Sequence, residues 1–334
     1  MSFNSIGDLA QGFALRHQNT ALKQQMDRLA AELASGLTAD VTQHLSGNLL
    51  HLADVQHKLE LSHSFQRGAD QGRVETSMMQ LALDTVQTTT QDLSSIALTI
   101  GTSQGGIGFD AFANEARGTL ATVFAALNTN VGGRSLFSGD EVTQPPLAPT
   151  SDFIAAIQAA VAGSATAGDV TTALDTFFDP AGGFETLIYQ GGSSARNAYQ
   201  LGHGESVSLD LRADDPAIRA VLKQIAIASV LDDPGVTLTN AEQRTLTQQI
   251  GQSLLGAESR VIDIRSDLGF AESRIDRAAT RLSAEQTSLS LVQTQLLAVD
   301  PYDTATELET VQLRLETLYT ITSRMSRLNL VNYL

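Results

Sequence analysis

Residues 254–299 read LLGAESRVIDIRSDLGFAESRIDRAATRLSAEQTSLSLVQTQLLAV, and an apolar residue recurs at every seventh position through six repeats. A heptad repeat of this length is typical of a coiled-coil helix. At about 1.5 Å per residue the helix would be roughly 65 Å long, so its apolar stripe requires an equally long partner. The repeat positions are Leu254, Val261, Leu268, Ile275, Leu282, Leu289 and Leu296, with Ala257, Ile264, Ala271, Ala278, Glu285, Val292 and Val299 between them.

A second heptad stripe lies in the N-terminal third of the chain. Met79, Val86, Leu93 and Ile100 are spaced seven apart, and we predict that this stripe packs along the C-terminal one. Two earlier helices are predicted from the apolar residues between 15 and 33 and between 45 and 59. Gly68 and Gly72 are expected to separate the second of these from the helix that carries Met79.

The middle of the chain has a different composition. From Val131 to Leu238 it is rich in Gly, Pro, Ser, Thr and Ala. Short helices are predicted at 152–161 and 169–178, and strands at 186–190 and 206–212. This composition indicates a mixed domain inserted between the helical parts.

Capping signals fix the predicted starts of the C-terminal helices. Asp215 followed by Pro216 is typical of a helix start, and Thr239 with Glu242 forms a capping box for the long helix. Pro301 interrupts that helix, and Thr304 with Glu307 predicts a second capping box for a terminal helix. Three glycines within the long helix predict close approach of a neighbouring helix or local bending, since each costs about 1 kcal/mol relative to Ala. They are Gly251, Gly256 and Gly269.

The predicted fold class is mainly α: an elongated coiled-coil rod built from both chain ends, with a smaller mixed α/β domain inserted. The expected organisation is an N-terminal assembly segment at 1–40, a helical rod at 41–135 and 238–304, an outer domain at 136–237, and an assembly helix at 305–334.

Composition disfavours several classes of function. The formal charge is −16, with 21 Lys and Arg against 37 Asp and Glu, so a nucleic-acid partner or an anionic membrane surface is not expected. There is no cysteine. We find no 18-residue apolar run, no cleaved signal peptide, no phosphate loop, no nucleophile elbow and no histidine pair at metal-binding spacing. We therefore predict no enzymatic activity, no cofactor, no metal and no small-molecule substrate.

The C-terminal tail is unusually apolar for a chain end. Burying it would contribute several kcal/mol at about 25 cal/mol per Å² of apolar surface. It could dock on its own domain or on another molecule, and periodicity does not decide between them. If it packs on a different surface of the next subunit, the contact is head-to-tail and gives a ring or a filament. The tail residues are Leu328, Leu330, Val331 and Leu334.

Several motifs resemble one protein family. NVGGRSLFSGDEVTQPPL at 130–147, IYQGGSSARNAYQLGHGESVS at 188–208 and RSDLGFAESRI at 265–275 are similar to segments of the flagellin-like hook-filament junction proteins, also called hook-associated protein 3. RLAAELASGL at 28–37 and the last 35 residues resemble the shared ends of that family and flagellin. The acidic-proline step that usually follows the first of these ends is replaced here by TADVTQHLSGN.

The resemblance implies a structural protein of the bacterial flagellum. Its expected partners are hook-associated protein 1, flagellin, its own copies in a ring and a flagellar export chaperone. It also implies an extracellular location, reached through the flagellar secretion channel. The residues expected to hold the rod are Leu268, Ile275, Leu282, Leu289 and Leu296, and the tail is expected to contact neighbouring subunits. Flagellin itself and a non-flagellar coiled-coil scaffold forming a closed dimer remain alternatives.

Overall fold

A computed structural model describes the backbone of residues 5–102 and 108–331, and the side chains of 10–102 and 108–324. Within these ranges the chain is mainly α-helical, with two small two-stranded sheets, so the predicted mainly-α fold class with a small mixed part is confirmed. The helices are α1 (Ser5–Ser35), α2 (Val41–His44), α3 (Leu50–Thr102), α4 (Phe109–Leu127), α5 (Thr150–Val161), α6 (Ala167–Phe178), α7 (Pro216–Ser229), α8 (Asn240–Leu297) and α9 (Pro301–Val331). The strands are β1 (Asn130–Val131), β2 (Arg134–Ser135), β3 (Tyr199–Gly202) and β4 (Glu205–Val207).

The contacts divide the chain into two compact units. We call Met1–His63 with Ala284–Leu334 the terminal unit, and Ser64–Ser283 the central unit. Helices α3 and α8 contribute residues to both.

The long C-terminal helix is confirmed. α8 is 58 residues long and begins where the capping box predicts. The backbone N–H of Glu242 donates to Thr239 Oγ1 at 3.3 Å, and the Thr239 N–H donates to the Glu242 carboxylate at 2.9 Å. This reciprocal pair satisfies two amide donors that a helix start otherwise leaves unpaired.

In the central unit, α3 and α8 lie side by side and antiparallel. Ser94 Oγ donates to the carbonyl of Gly251 at 2.9 Å, and Gln80 Nε2 donates to the carbonyl of Arg265 at 2.8 Å. Arg73 Nε lies 2.8 Å from Asp276 Oδ1. Contacts closer to the N-terminus of α3 therefore lie closer to the C-terminus of α8. The predicted pairing of the two heptad stripes is confirmed.

The predicted break at Gly68 and Gly72 is wrong, because α3 is one continuous helix of 53 residues. A Cβ on Gly68 would stand 2.9 Å from the carbonyl oxygen of Gln200, and one on Gly72 would stand 3.1 Å from Ile275 Cδ1. Strand β3 and α8 approach the helix too closely for a side chain at either position. The glycines mark close packing of another element on the helix, not a turn.

The core of the central unit combines the α3–α8 pair with the shorter helices. α4 buries an apolar stripe that includes Leu120, Val123 and Leu127. Phe153 on α5 packs against the rings of Phe124 and of three further phenylalanines, at centroid distances of 5.0–6.5 Å. α7 begins as predicted, with the Ala217 N–H donating to Asp215 Oδ1 at 2.8 Å and Pro216 at its first position. The three further phenylalanines that surround Phe153 are Phe177, Phe178 and Phe184.

The predicted strands are largely wrong. Residues 184–188 form a π-helical turn, and Tyr189 makes only an isolated bridge with Leu147. β4 ends at Val207, so the strand predicted at 206–212 is much shorter. The alternating apolar residues Leu209 and Leu211 instead belong to an irregular segment that packs on the core without pairing to a strand.

In the terminal unit, α1 packs on α9. Leu22 and Leu29 of α1 are buried with Val311, Leu315 and Leu318 of α9. α1 ends at Ser35, and Gly36 follows it at a positive φ of 71°. Backbone hydrogen bonds join the two connections that follow α1 and α8: Thr38 N donates to Leu297 O at 2.8 Å, and Val299 N to Gly36 O at 3.1 Å.

The predicted capping box at Thr304 and Glu307 is wrong. α9 begins earlier, at Pro301, and Asp300 caps it by accepting from the Tyr302 N–H at 2.8 Å. Thr304 already lies within the helix and donates its hydroxyl to the Asp300 carbonyl at 2.8 Å. Proline suits the first helical position, and this moves the cap one turn upstream.

Candidate functional site

The predicted seam residues divide into two groups. Leu268, Ile275 and Leu282 are buried in the central unit. Leu289 and Leu296 are half-buried and belong to the terminal unit. Glu285, at a seam position between the two groups, is exposed. The first group has the burial expected of residues that hold the helices together, and the role of all five in assembly stays a prediction.

The predicted tail lies beyond the side chains that the structure describes. Leu328, Leu330 and Val331 fall within α9, but their side chains are outside the described residues. Leu334 lies outside the described backbone as well. Their contact with neighbouring subunits therefore stays a prediction.

Some large apolar side chains of α9 are exposed to solvent. Leu313 is 64% exposed and Ile321 is 45% exposed, on the side of the helix away from the buried Val311 and Leu315. Arg324 is exposed three positions after Ile321. We call Leu313, Ile321 and Arg324 the outer face of α9. The sequence interpretation missed Leu313 and Ile321, although their spacing of eight residues signals a second apolar stripe on the same helix.

α1 also exposes a large apolar side chain. Phe13 is 67% exposed within the terminal unit. Isolated apolar side chains are common on protein surfaces, but both terminal helices here combine a buried stripe with large exposed apolar residues. Such a helix pair has apolar surface available for a further partner.

Only one of the three glycines of α8 marks a close approach. A Cβ on Gly251 would stand 2.8 Å from Leu98 Cδ2 and 3.2 Å from the Leu98 backbone nitrogen. Gly256 has no atom within 4 Å of that position, and Gly269 has only Gln80 Nε2 at 4.0 Å. Close approach is confirmed at Gly251 and is not observed at the other two positions, where the alternative of local bending stays a prediction.

A buried ionic cluster joins α3 to the region around β3. The carboxylate of Glu75 and the guanidinium of Arg196 are each 2% exposed, and Arg196 Nη2 lies 2.7 Å from Glu75 Oε2. The hydroxyl of Tyr199 donates to the same carboxylate, and Gln71 Nε2 donates to Glu75 Oε1 at 2.9 Å. Several donors therefore compensate for the burial of one negative charge. We call Glu75, Arg196 and Tyr199 the ionic cluster.

The ionic cluster perturbs the titration of its tyrosine. Burial raises the pKa of Tyr199 above its ordinary value of 10.0, and the hydrogen bond to Glu75 raises that pKa further. A deprotonated Tyr199 would lose the proton it donates and would place a second negative charge beside the carboxylate.

We expect the folded state to lose stability as the pH rises above 10. A raised pKa in the folded state contributes stability that is fully present below the unfolded pKa of 10.0 and is lost at higher pH. Tyr199→Phe should reduce this alkaline loss and should cost about 1.5–3 kcal/mol at neutral pH, because it removes a hydrogen bond to a charged group. Urea unfolding at several pH values measures both effects. An unchanged alkaline slope in Tyr199→Phe would contradict the assignment.

Neither metal chemistry nor a membrane span is indicated by the part of the chain described. Among the described side chains, at 10–102 and 108–324, no three His, Asp or Glu residues converge in a metal-binding arrangement. None of the helices in these ranges has the length and hydropathy needed to cross a bilayer.

Comparison with known proteins is consistent with this geometry. Residues 252–334 match the family model of the bacterial flagellin C-terminal helical region. No curated protein matches the chain at a significant level.

Two solved structures share the fold. One is described as a flagellar hook-associated protein from Vibrio parahaemolyticus, with a TM-score of 0.52 and 12% identity over 74% of this chain and 96% of that one. The other is FlgL from Bacillus cereus, with a TM-score of 0.50 and 14% identity over 72% and 98% of the two chains. At 12% and 14% identity, the similarity to these two structures shows a shared fold and nothing more. With the C-terminal match, it confirms the predicted resemblance to flagellin-like hook-associated proteins.

Proposed function

We propose that this chain, which carries a flagellin-type C-terminal helical region, is a structural subunit of the bacterial flagellum that joins hook to filament. In this proposal the subunits assemble head-to-tail through their terminal helices. Segments 1–40 and 305–334 serve assembly, 41–135 and 238–304 form the helical body, and 136–237 is the outer domain.

The observation that carries this proposal is the surface of the terminal helix pair. α1 and α9 bury one stripe against each other, and α9 still exposes its outer face. A subunit that functions alone has no need of such a surface, whereas a subunit in a tube can bury it against the next copy. The match of residues 252–334 to flagellin supports the same assignment.

The proposal includes partners and location. A junction subunit would contact hook-associated protein 1 on one side and flagellin on the other, with its own copies forming the ring between them. It would be held by an export chaperone before secretion and would function outside the cell without enzymatic activity. The two structural neighbours are described as a flagellar hook-associated protein and as FlgL. These descriptions apply to those proteins, and they support a role of the same class for this chain.

Removing residues 328–334 tests the role of the tail. We expect the truncated chain to keep the helical content and unfolding midpoint of the full chain, because the buried residues described on α9, Val311, Leu315 and Leu318, all precede the deletion. We expect its incorporation into flagella to fall below detection. Incorporation is measured by immunolabelling of purified hook-basal bodies and by motility. Normal motility with the truncated chain would contradict an assembly role for the tail.

The outer face of α9 offers a matched pair of variants. Leu313→Lys changes an exposed apolar residue, and Gln312→Lys introduces the same charge at the adjacent exposed position. We expect only the first to reduce incorporation, while both fold normally. Equal incorporation of the two variants would show that this face is not an interface.

Flagellin remains the second candidate, because the matching family model describes the flagellin C-terminal region. A purified flagellin subunit would polymerise alone into long filaments. A junction subunit would instead be required for filament attachment while hooks still form. Deletion of the gene followed by electron microscopy of hooks and secreted flagellin separates the two. The closed-dimer scaffold would appear as a protease-resistant dimer in solution.

A further inference from the structure

A cleft of about 280 Å³ lies within the central unit, between α8 and the irregular segment that follows β4. α8 contributes Ile264, Leu268 and Ala271, which share one side of the helix. The segment contributes Leu209 and Leu211. The floor of the cleft is therefore apolar.

The edge of the same cleft is acidic. Asp210 and Asp267 are exposed beside the apolar floor, and within the described part of the chain neither forms an ion pair. Asp215 also lines the cleft, where it caps α7. We call the apolar floor with Asp210 and Asp267 the acidic cleft.

Strand β4, which leads directly into the segment that lines the acidic cleft, is held in place from α8. Arg274 Nη2 donates to the Ser206 carbonyl at 3.0 Å, and Arg281 pairs with Glu205 at 2.6 Å. The cleft is thus formed before a partner arrives, which reduces the entropic cost of binding.

We propose that the acidic cleft of one copy binds the C-terminal segment of a second copy. Between Thr317 and Leu334 the sequence contains Arg324 and Arg327 and no acidic residue, in a chain whose net charge is −16. This segment is therefore complementary in charge to the edge of the cleft. The acidic edge would repel most other surfaces of the protein, because they are also negatively charged. The inference rests on the proposed function, because it requires that copies assemble.

The spacing of the segment matches the two parts of the cleft. Leu328 follows Arg324 by four residues, and Val331 follows Arg327 by four, so a helix places each arginine one turn from an apolar residue. Such a helix can direct apolar side chains to the floor and guanidinium groups to Asp210 and Asp267.

A labelled peptide tests the proposal directly. A fluorescein-labelled peptide of residues 317–334 is titrated with the full chain, and binding is followed by fluorescence anisotropy. We expect the double variant Asp210→Arg with Asp267→Arg to weaken binding by about tenfold or more, because like charges then face each other. Asp92→Arg, at an exposed position on α3 outside the cleft, is the control and should bind as the unmodified chain does.

A charge swap shows whether the contact is direct. A peptide with Arg324→Glu and Arg327→Glu should bind poorly to the unmodified chain and should regain affinity for the double variant. Absence of saturable binding, or equal affinity for the unmodified chain and the double variant, would overturn the proposal. Binding without rescue by the swapped peptide would also overturn it.

Disulfide trapping tests whether two copies are involved, and the chain has no cysteine to interfere. One copy carries Ser208→Cys at the cleft and the other carries Ser326→Cys in the tail. We expect a mixed disulfide dimer on oxidation, and none when Ser208→Cys is replaced by Ser151→Cys on α5. An equal yield of mixed disulfide dimer with Ser208→Cys and with Ser151→Cys would overturn the proposal.

If the tail truncation blocks incorporation while the cleft variants bind the peptide normally, this inference fails and the proposed function stands.

Discussion

Arg196→Met is expected to destabilise the central unit by about 3–5 kcal/mol, because removing one partner of a buried ion pair leaves the other charge uncompensated. Glu75 is 2% exposed, so its carboxylate cannot recover water when the guanidinium is lost. Tyr199 and Gln71 would still donate to it, but neither carries a positive charge. Urea unfolding followed by circular dichroism measures the loss.

Two further variants make this expectation specific. Arg134 lies 3.9 Å from the same carboxylate but is 46% exposed, so Arg134→Met should cost less than about 1 kcal/mol. The double variant Glu75→Leu with Arg196→Met removes both charges and should recover much of the stability lost in Arg196→Met. A stability of Arg196→Met within 1 kcal/mol of the unmodified chain would show that the pair is not needed.

Gly251→Leu is expected to disrupt the contact between α3 and α8. Its Cβ would stand 2.8 Å from Leu98 Cγ and 3.2 Å from the Leu98 backbone nitrogen, so relief requires the helices to move apart. Overpacking of this kind typically costs about 1–3 kcal/mol, and the larger side chain places this variant at the upper end. Thermal unfolding of the full chain measures the effect.

Gly256→Leu is the matched control, five residues further along the same helix. No atom lies within 4 Å of its added Cβ, so the substitution should gain helix propensity, about 0.5–1 kcal/mol, without a clash. Opposite signs for the two variants would confirm that only Gly251 is required by packing. Equal destabilisation would mean that both glycines are constrained.

The long helices could be predicted because their signal repeats within a single element. An apolar residue recurs at every seventh position from Leu254 to Leu282, so each repeat predicts the same helix. The predicted helix and its antiparallel partner on α3 are both observed. Capping residues fixed the starts of α7 and α8 because a cap acts within three residues. At α9 the predicted capping box failed, because Pro301 occupies the first helical position and Asp300 caps the helix one turn earlier.

The features that could not be predicted depend on residues far apart in sequence. Gly68 and Gly72 look like breaks until strand β3 is known to pack against them. The hydrogen bond from Tyr199 to Glu75 spans 124 residues, and no local pattern indicates it. β3 and β4 are four and three residues long, too short for alternation to show.

The candidate site was predicted only in part. An apolar tail can be seen in the sequence. The helical spacing of Val311, Leu315 and Leu318 also separates the buried stripe of α9 from the exposed Leu313. The acidic cleft arises from two elements whose proximity depends on tertiary packing.

The pairing of α1 with α9 has a consequence for biosynthesis. Gln25 contacts Glu307 across 282 residues, so the ribosome must synthesise all of the intervening chain before α1 meets its partner. A lone helix is only marginally stable in water, and Leu22 and Leu29 therefore stay uncovered during most of translation. The nascent N-terminus is thereby available to cellular factors that recognise unfolded segments before the C-terminus emerges.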